Sequence, residues 1–191
     1  MDTRERLLAS TKDLLWERGY IGTSPQSIQR RAQAGQGSMY HHFDGKRGLA
    51  LAAVADTSDE LRSRASAVLD APGPALQRVI GYLHMERAAL RGCPMGRLTQ
   101  DPEVVADEDL VQPVAGYFAW LVDTLAGLLA EASAAGDLAP HLSPREIASA
   151  AVATVQGGYV LARASHDAAS MTVAVDGLVA LLAAAAPAEE A

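Results

Sequence analysis

Residues 35–47 concentrate groups that could do chemistry on a charged surface: Gly35-Gln36-Gly37-Ser38, then Tyr40-His41-His42-Phe43, then Lys46-Arg47. Small residues let a backbone come close to a surface, while hydroxyl, amide, imidazole and cationic groups supply donors for phosphates and base edges. That mixture suits DNA better than a catalytic site. The same residues also admit a purely structural reading. Tyr40 and Phe43 lie three apart, so on a helix they could be core, with His41, His42, Lys46 and Arg47 as an ordinary solvated face.

The residues before this stretch decide between the two. Thr3 to Gly19 has helical periodicity, with Leu7, Leu8, Thr11, Leu14 and Leu15 on one face and Arg4, Glu5, Lys12, Asp13 and Glu17 elsewhere. Gly19 ends it as helix C-termini commonly end. After Tyr20-Ile21, Thr23-Ser24-Pro25 opens a second helix, Ser24 as cap and Pro25 preset for the first helical position. Ile28 and Ala32 face inward, Arg30 and Arg31 outward, and the helix breaks near Ala34-Gly35. A third helix follows from about Gln36 to Phe43. Two short helices joined by a small-residue turn and buttressed by a longer one form a helix-turn-helix.

These residues resemble the TetR family of bacterial transcriptional regulators. The resemblance is carried by Gly19-Tyr20, Thr23-Ser24, Ile28, Gly37-Ser38-Met39-Tyr40-His41-His42-Phe43 and Lys46, roughly the first quarter of the chain in one ordered constellation. Three positions depart from the family pattern. Gln33 stands where the turn usually has Gly, and Gly35 where a Ser or Thr usually caps the recognition helix. Arg47 replaces a carboxylate at the start of the fourth helix. Either Asp44 caps that helix instead, or Arg47 adds a phosphate contact.

Roles follow from the chemistry together with the resemblance. Thr23 and Ser24 sit at a helix N-terminus, where hydroxyls and free backbone N–H groups bind phosphate. Gln36 and Ser38 lie on the first turn of the recognition helix, the part that enters the major groove, where Gln can pair with adenine. Gly37 allows close backbone approach, Tyr40 and His42 reach phosphates, Lys46 anchors the strand, and His41 touches a phosphate or a thymine methyl. Met39 and Phe43 are assigned to packing.

Charge agrees in distribution, though not in total. The chain is net −7, which alone argues against nonspecific nucleic-acid binding. Residues 1–50 nevertheless hold eight Lys or Arg against five Asp or Glu, and the remainder eight against eighteen. A basic head on an acidic body orients the molecule head-first onto DNA.

With 191 residues the chain can bury one good core or a small domain plus a larger one. Apolar content is 49% but aromatics only 5%, with Ala and Leu dominant, which favours helix over sheet. The expected fold is all-α, about nine helices, with a three-helix DNA-binding domain over residues 1–48 and a larger helical effector-binding and dimerisation domain over 49–191. A single cysteine, Cys93, excludes an internal disulfide. The N-terminus is charged rather than signal-like, and the apolar run Gly177 to Ala188 is too short to cross a bilayer. A soluble, cytoplasmic protein without membrane partners is expected.

Beyond residue 45 the pattern predicts a long helix from Lys46 to about Leu69, broken by Pro72-Gly73-Pro74, and a fifth to about Arg91. A short helix from Met95 is disturbed by Pro102 and ends before Asp107-Glu108-Asp109. The cleanest periodicity, Val114, Tyr117, Phe118, Leu121, Val122, Leu125, Leu128 and Leu129, ends at Gly136. Ser143-Pro144-Arg145-Glu146 reads as a capping box opening a helix to about Ala164. A last helix runs from about Ala169 to Ala186, before Pro187 and a frayed tail.

The final two helices carry more apolar and small surface than one core needs, including Val155, Gly158 and Leu161 on one and Val175, Leu178, Val179 and Leu182 on the other. In TetR-like proteins such helices pack against their copies in a four-helix bundle, so the resemblance implies a homodimer reading a palindromic operator of double-stranded DNA. It also implies a small-molecule effector in a cavity near Tyr82, Met85, Met95, Tyr117, Phe118, Trp120, Leu121, Gln156 and Tyr159. Any one of these is more often plain core. The Gly92-Cys93-Pro94-Met95-Gly96-Arg97-Leu98 segment resembles the LmrA/YxaF branch, which implies a planar or lipophilic effector. The effector would release a repressor from DNA, with coupling through the helix that starts at Lys46.

Two other readings of the sequence are weaker. An enzyme using Cys93 and His84 lacks a third group to orient the histidine, and His41-His42 lack partners at metal-ligand spacing. No cofactor or metal is expected. A TetR-like protein acting only through protein partners is disfavoured by Tyr40, His42 and Lys46.

Overall fold

The computed structural model describes residues 1–184, and these form ten α-helices with no strand among them. α1 spans Thr3–Arg18, α2 Pro25–Ala32 and α3 Gln36–His42. α1 opens on a capping box that the sequence reading passed over: Glu5 N–H donates to Asp2 Oδ1 at 2.8 Å and Asp2 N–H to Glu5 Oε2 at 2.7 Å. α2 opens on another, in which Ser24 Oγ accepts from Ser27 N–H at 3.1 Å and Ser27 Oγ accepts from Ser24 N–H at 3.0 Å.

The turn between α2 and α3 is made by Gln33 in the left-handed region, φ 51° and ψ 46°. A non-glycine residue there costs roughly 1–2 kcal/mol of backbone strain, so the departure from Gly keeps the turn's shape. Gly35 precedes α3 without a side-chain cap. Leu7, Leu14, Ile28, Ala32, Met39, Phe43 and Leu49 form the common core of these helices and the next. Full burial of each large apolar side chain contributes about 1.5–3 kcal/mol.

α4 runs Gly45–Leu69 and α5 Ala75–Leu83. α5 was expected to continue to about Arg91 and stops eight residues earlier. The Arg87 guanidinium turns back and donates to the carbonyls of Tyr82 (2.7 Å), Leu83 (2.9 Å) and Met85 (2.6 Å), taking acceptors that further helix would have used. The expected short helix from Met95 is two: α6, Pro94–Leu98, and α7, Pro102–Ala106, each with proline in its first turn. Asp101 caps α7 through Glu103 N–H at 3.2 Å, which raises the count from nine to ten. α8 is Glu108–Ala134, α9 Pro144–Ser165 and α10 Ala169–Ala184. Ser143 caps α9 by accepting from Glu146 N–H. The expected end of the last helix at Ala186, and the tail from Pro187, lie outside the described residues.

α8 is long and apolar enough, by length and composition, to cross a membrane, a property the sequence reading did not assign to it. Its Leu110, Val114, Tyr117, Leu121, Leu125, Leu128, Leu129 and Ala132 are buried within the chain, the three-and-four spacing of a core helix.

Packing divides the chain into two compact units, one of Met1–Leu61 with Cys93–Tyr117, the other of Arg62–Gly92 with the chain from Phe118 on. The motif-based division at residue 48 falls in the first turn of α4, whereas compactness assigns the first two-thirds of α4, α6, α7 and the start of α8 to the first unit. Within that unit Lys12 bridges α1 to α4 through Asp56 at 2.7 Å and Glu60 at 2.5 Å. Burial works against the Lys12 ammonium, but these hydrogen bonds outweigh it and raise its pKa.

Candidate nucleic-acid interface

α3 is positioned by its apolar residues and presents its polar ones. Met39 is fully buried and Phe43 nearly so, with the Arg4 guanidinium 5.4 Å from the Phe43 ring centroid. Gln36, Gly37, Tyr40, His41 and His42 are exposed, and Ser38 is half-buried. Tyr40 is 55% exposed although it is a large aromatic, so the core reading of Tyr40 fails while that of Phe43 holds. Gly35 and Gly37 have nothing within 4 Å of where a Cβ would stand, and both have negative φ. Neither folding nor intramolecular packing therefore requires glycine at 37.

Around α3 the nominated residues divide. Ser24 is exposed at the head of α2. Thr23 is 1% exposed and its hydroxyl donates to Gly19 O at 2.7 Å, so it staples the α1–α2 turn and its side chain is not available to phosphate. Lys46 lies over the Tyr20 ring, Nζ 3.8 Å from the centroid. Arg47 is committed to carboxylates: Nε donates to Asp107 Oδ2 at 2.7 Å, and one terminal nitrogen donates to Asp107 Oδ1 at 2.9 Å and Asp109 Oδ2 at 2.5 Å. The Arg47 hydrogen bond holds the Asp107 carboxyl below the usual carboxylate range, and the two acids raise Arg47 in turn.

Sequence reasoning missed Asp101. This carboxylate, 7% exposed and eighty residues along the chain, accepts from Ile21 N–H at 2.9 Å. It pins the turn that leads into α2. The only sequence signal was an Asp before a Pro at a helix start, which predicts a cap and says nothing of a distant partner.

In the other unit, Tyr82 and Leu121 are buried, as Met95 and Tyr117 are in the first. Met85, Phe118, Trp120, Gln156 and Tyr159 are half-buried, and the Arg62 guanidinium lies 5.2 Å from the Trp120 ring centroid. A cleft of about 240 Å³ is lined by Leu83, Met85, Ala89, Met171 and Val175 among others, bringing together one nominated effector residue and one nominated interface residue. At α9 and α10 the structure corrects the interface assignment. Val155, Gly158, Val175 and Leu182 are buried inside the chain, and a Cβ at Gly158 would come within 3.1 Å of Met171 Cγ, so Gly158 serves the α9–α10 contact. Leu178 and Val179 are half-buried. Leu161 is exposed, together with Val160, Val173 and Leu181. Cys93 caps α6, its sulfur accepting from Gly96 N–H at 3.3 Å, and His84 pairs with Asp176 at 3.0 Å.

Comparison with known proteins places this arrangement. The family model for bacterial regulatory proteins of the tetR family matches residues 7–53, and that for the tetracyclin repressor-like C-terminal domain matches residues 73–178. An uncharacterised HTH-type transcriptional regulator from the lacX 3′ region of Lactococcus lactis subsp. lactis is 27% identical over 174 residues, covering 87% of this chain and 86% of that one. The HTH-type transcriptional regulator LmrA of Bacillus subtilis is 27% identical over 113 residues, 56% of this chain and 60% of its own. The crystal structure of a TetR-family transcriptional regulator from Cytophaga hutchinsonii superposes with a TM-score of 0.86 at 21% identity, covering 98% of this chain and 96% of that one.

Proposed function

This chain belongs to the TetR family of bacterial transcriptional regulators, and from that premise we propose that it is a sequence-specific repressor whose homodimer binds a palindromic operator and is released by a small lipophilic or aromatic effector. Proteins of this family are soluble DNA-binding regulators, not enzymes, and act as dimers with small-molecule effectors. One observation carries the DNA reading: α3 commits Met39 to the core and leaves Gln36, Gly37, Tyr40, His41 and His42 outward, with Ser38 at its edge. Gln36 and Ser38 then read bases, Gly37 admits the DNA backbone, and Tyr40, His42, Ser24 and Lys46 hold phosphates, with His41 on a phosphate or a thymine methyl.

The dimer places two such helices about 34–36 Å apart, in successive major grooves. Its contact surface is the exposed stripe of α9 and α10. Val160 and Leu161 with Ala153, Ala164 and the half-buried Gly157 on one helix repeat the spacing of Val173, Gly177, Ala180, Leu181 and Ala184 on the other. The effector reading rests on the half-buried Met85, Phe118, Trp120, Gln156 and Tyr159, which combine apolar surface with a few polar groups. Effector binding that favours wrongly spaced recognition helices weakens operator affinity by the same factor.

Fluorescence anisotropy tests the proposal, using a duplex that the protein itself selects from a random library and a shuffled duplex as control. A preference of about a thousandfold or more, falling with added salt, is expected. Tyr40→Ala or Lys46→Ala should each weaken operator binding by about tenfold. Tyr40→Ala is a surface change and should move stability by no more than about 0.5 kcal/mol, whereas Lys46→Ala also removes the contact over the Tyr20 ring and should cost about 0.5–1 kcal/mol. Equal binding to both duplexes rejects the DNA reading.

A further inference from the structure

Arg47 is a nominated phosphate ligand whose donors are engaged by carboxylates, and those partners point to regulation of the same interface. Its guanidinium forks onto Asp107 and reaches Asp109, which lie on either side of the first residue of α8. Two adjacent acid groups in this geometry present to arginine what a phosphate diester presents: planar-matched oxygens and negative charge. The side chains of Arg47 and Asp109 are 47% and 71% exposed. The Asp107 side chain is 26% exposed, so the forked pair is half-shielded on the acid side, while the guanidinium and Asp109 stay open to solvent, where another anion can compete for the same donors.

The pair also lies beside Lys46, which the DNA-binding reading assigns to phosphate. Arg47 follows Lys46 in the first turn of α4, and Lys46 lies over the Tyr20 ring. Burial raises the Tyr20 hydroxyl pKa, with Glu103 and Asp107 adding to the rise and Arg47 opposing it. Lys46, Arg47 and Asp107 therefore share one patch around the turn that leads into the helix-turn-helix. Asp107 and Asp109 belong to the densest acid run of the chain, yet they lie against a segment that is net positive over residues 1–50.

We propose that Asp107 and Asp109 mimic the DNA backbone and mask Arg47 in the free protein, and that an operator phosphate displaces them when α3 is seated. This rests on the DNA-binding reading above. Its consequence is discrimination. A duplex that does not seat α3 meets one cation fewer on each subunit, whereas a correct operator recruits Arg47 as an added contact.

The test compares five full-length proteins on the selected and shuffled duplexes across a salt series: wild type, Asp109→Asn, Asp107→Asn with Asp109→Asn, Arg47→Gln, and all three changes together. Asparagine at 107 keeps an oxygen to cap α8, where Asp107 Oδ1 accepts from Asp109 and Leu110 N–H. Asp109→Asn alone leaves that cap untouched and should shift binding in the same direction by less. Unmasking should tighten binding to the shuffled duplex and steepen its log K against log[salt] slope by about 0.9 per subunit, about 1.8 for a dimer. The selected duplex should change less, so the preference for it narrows. The gain should vanish in the Arg47→Gln background.

An equal gain without Arg47 would mean that only the long-range field of the two acids had been removed, and overturns masking. Unchanged or weaker binding by both the double variant and Asp109→Asn would make the pair a structural clasp, and also overturns it. A wild type that shows no preference for the selected duplex overturns the DNA reading itself, a result distinct from either.

Discussion

At Gly37 a methyl group would meet nothing within 4 Å in the free protein, and the backbone there needs no glycine conformation. Alanine is about 1 kcal/mol better than glycine in a helix interior and less so near an end, so Gly37→Ala should melt at or slightly above the wild-type temperature. Operator affinity should nevertheless fall at least tenfold, because the methyl intrudes where the DNA backbone comes close. Paired melting and anisotropy read both, and wild-type binding by this variant would show that Gly37 is not at the contact. Thr23 shows the opposite case. Its residue type fits phosphate binding, but its hydroxyl is spent on Gly19 O. Residue type was legible in the sequence, while the partner of each hydroxyl depended on the path of the turn.

Between elements, the α4 start and the α7–α8 junction are joined by a pair whose strength depends on pH. The Arg47 hydrogen bond depresses the Asp107 pKa from its ordinary 3.8. A carboxyl whose folded pKa is lowered stabilises the fold above its unfolded value, and that contribution is lost as pH falls through the folded one. The stability difference between wild type and Asp107→Asn should therefore be constant above about pH 5 and shrink below about 3.8. Denaturant titrations at several pH values check this, and a difference that persists unchanged at pH 2.5 would rule out the linkage. Helix starts at this scale were readable, since Ser24-Pro25 and Ser143-Pro144 are local signals. Helix ends were not: α5 stops where Arg87 folds back onto its carbonyls, a choice set by a side chain four residues beyond the end.

For the whole molecule, the exposed stripe of α9 and α10 carries the dimer prediction. Leu161→Glu with Leu181→Glu should shift the protein from dimer to monomer in light scattering, leave its helical circular dichroism intact and abolish tight operator binding. Val155, Gly158, Val175 and Leu182 were assigned to that surface because apolar periodicity marks a face without saying what covers it. Each of these two helices buries one face inside the chain and exposes another, and only the packed structure separates them. The sequence by itself determined the helical class, the order of the first three helices and the residues of α3, because caps, periods and the motif are local and act within a few residues. Tertiary structure alone decided that Asp101 holds the Ile21 amide and that Arg47 meets Asp107 and Asp109, because partners sixty to eighty residues apart are joined by how the helices pack and by no spacing along the chain.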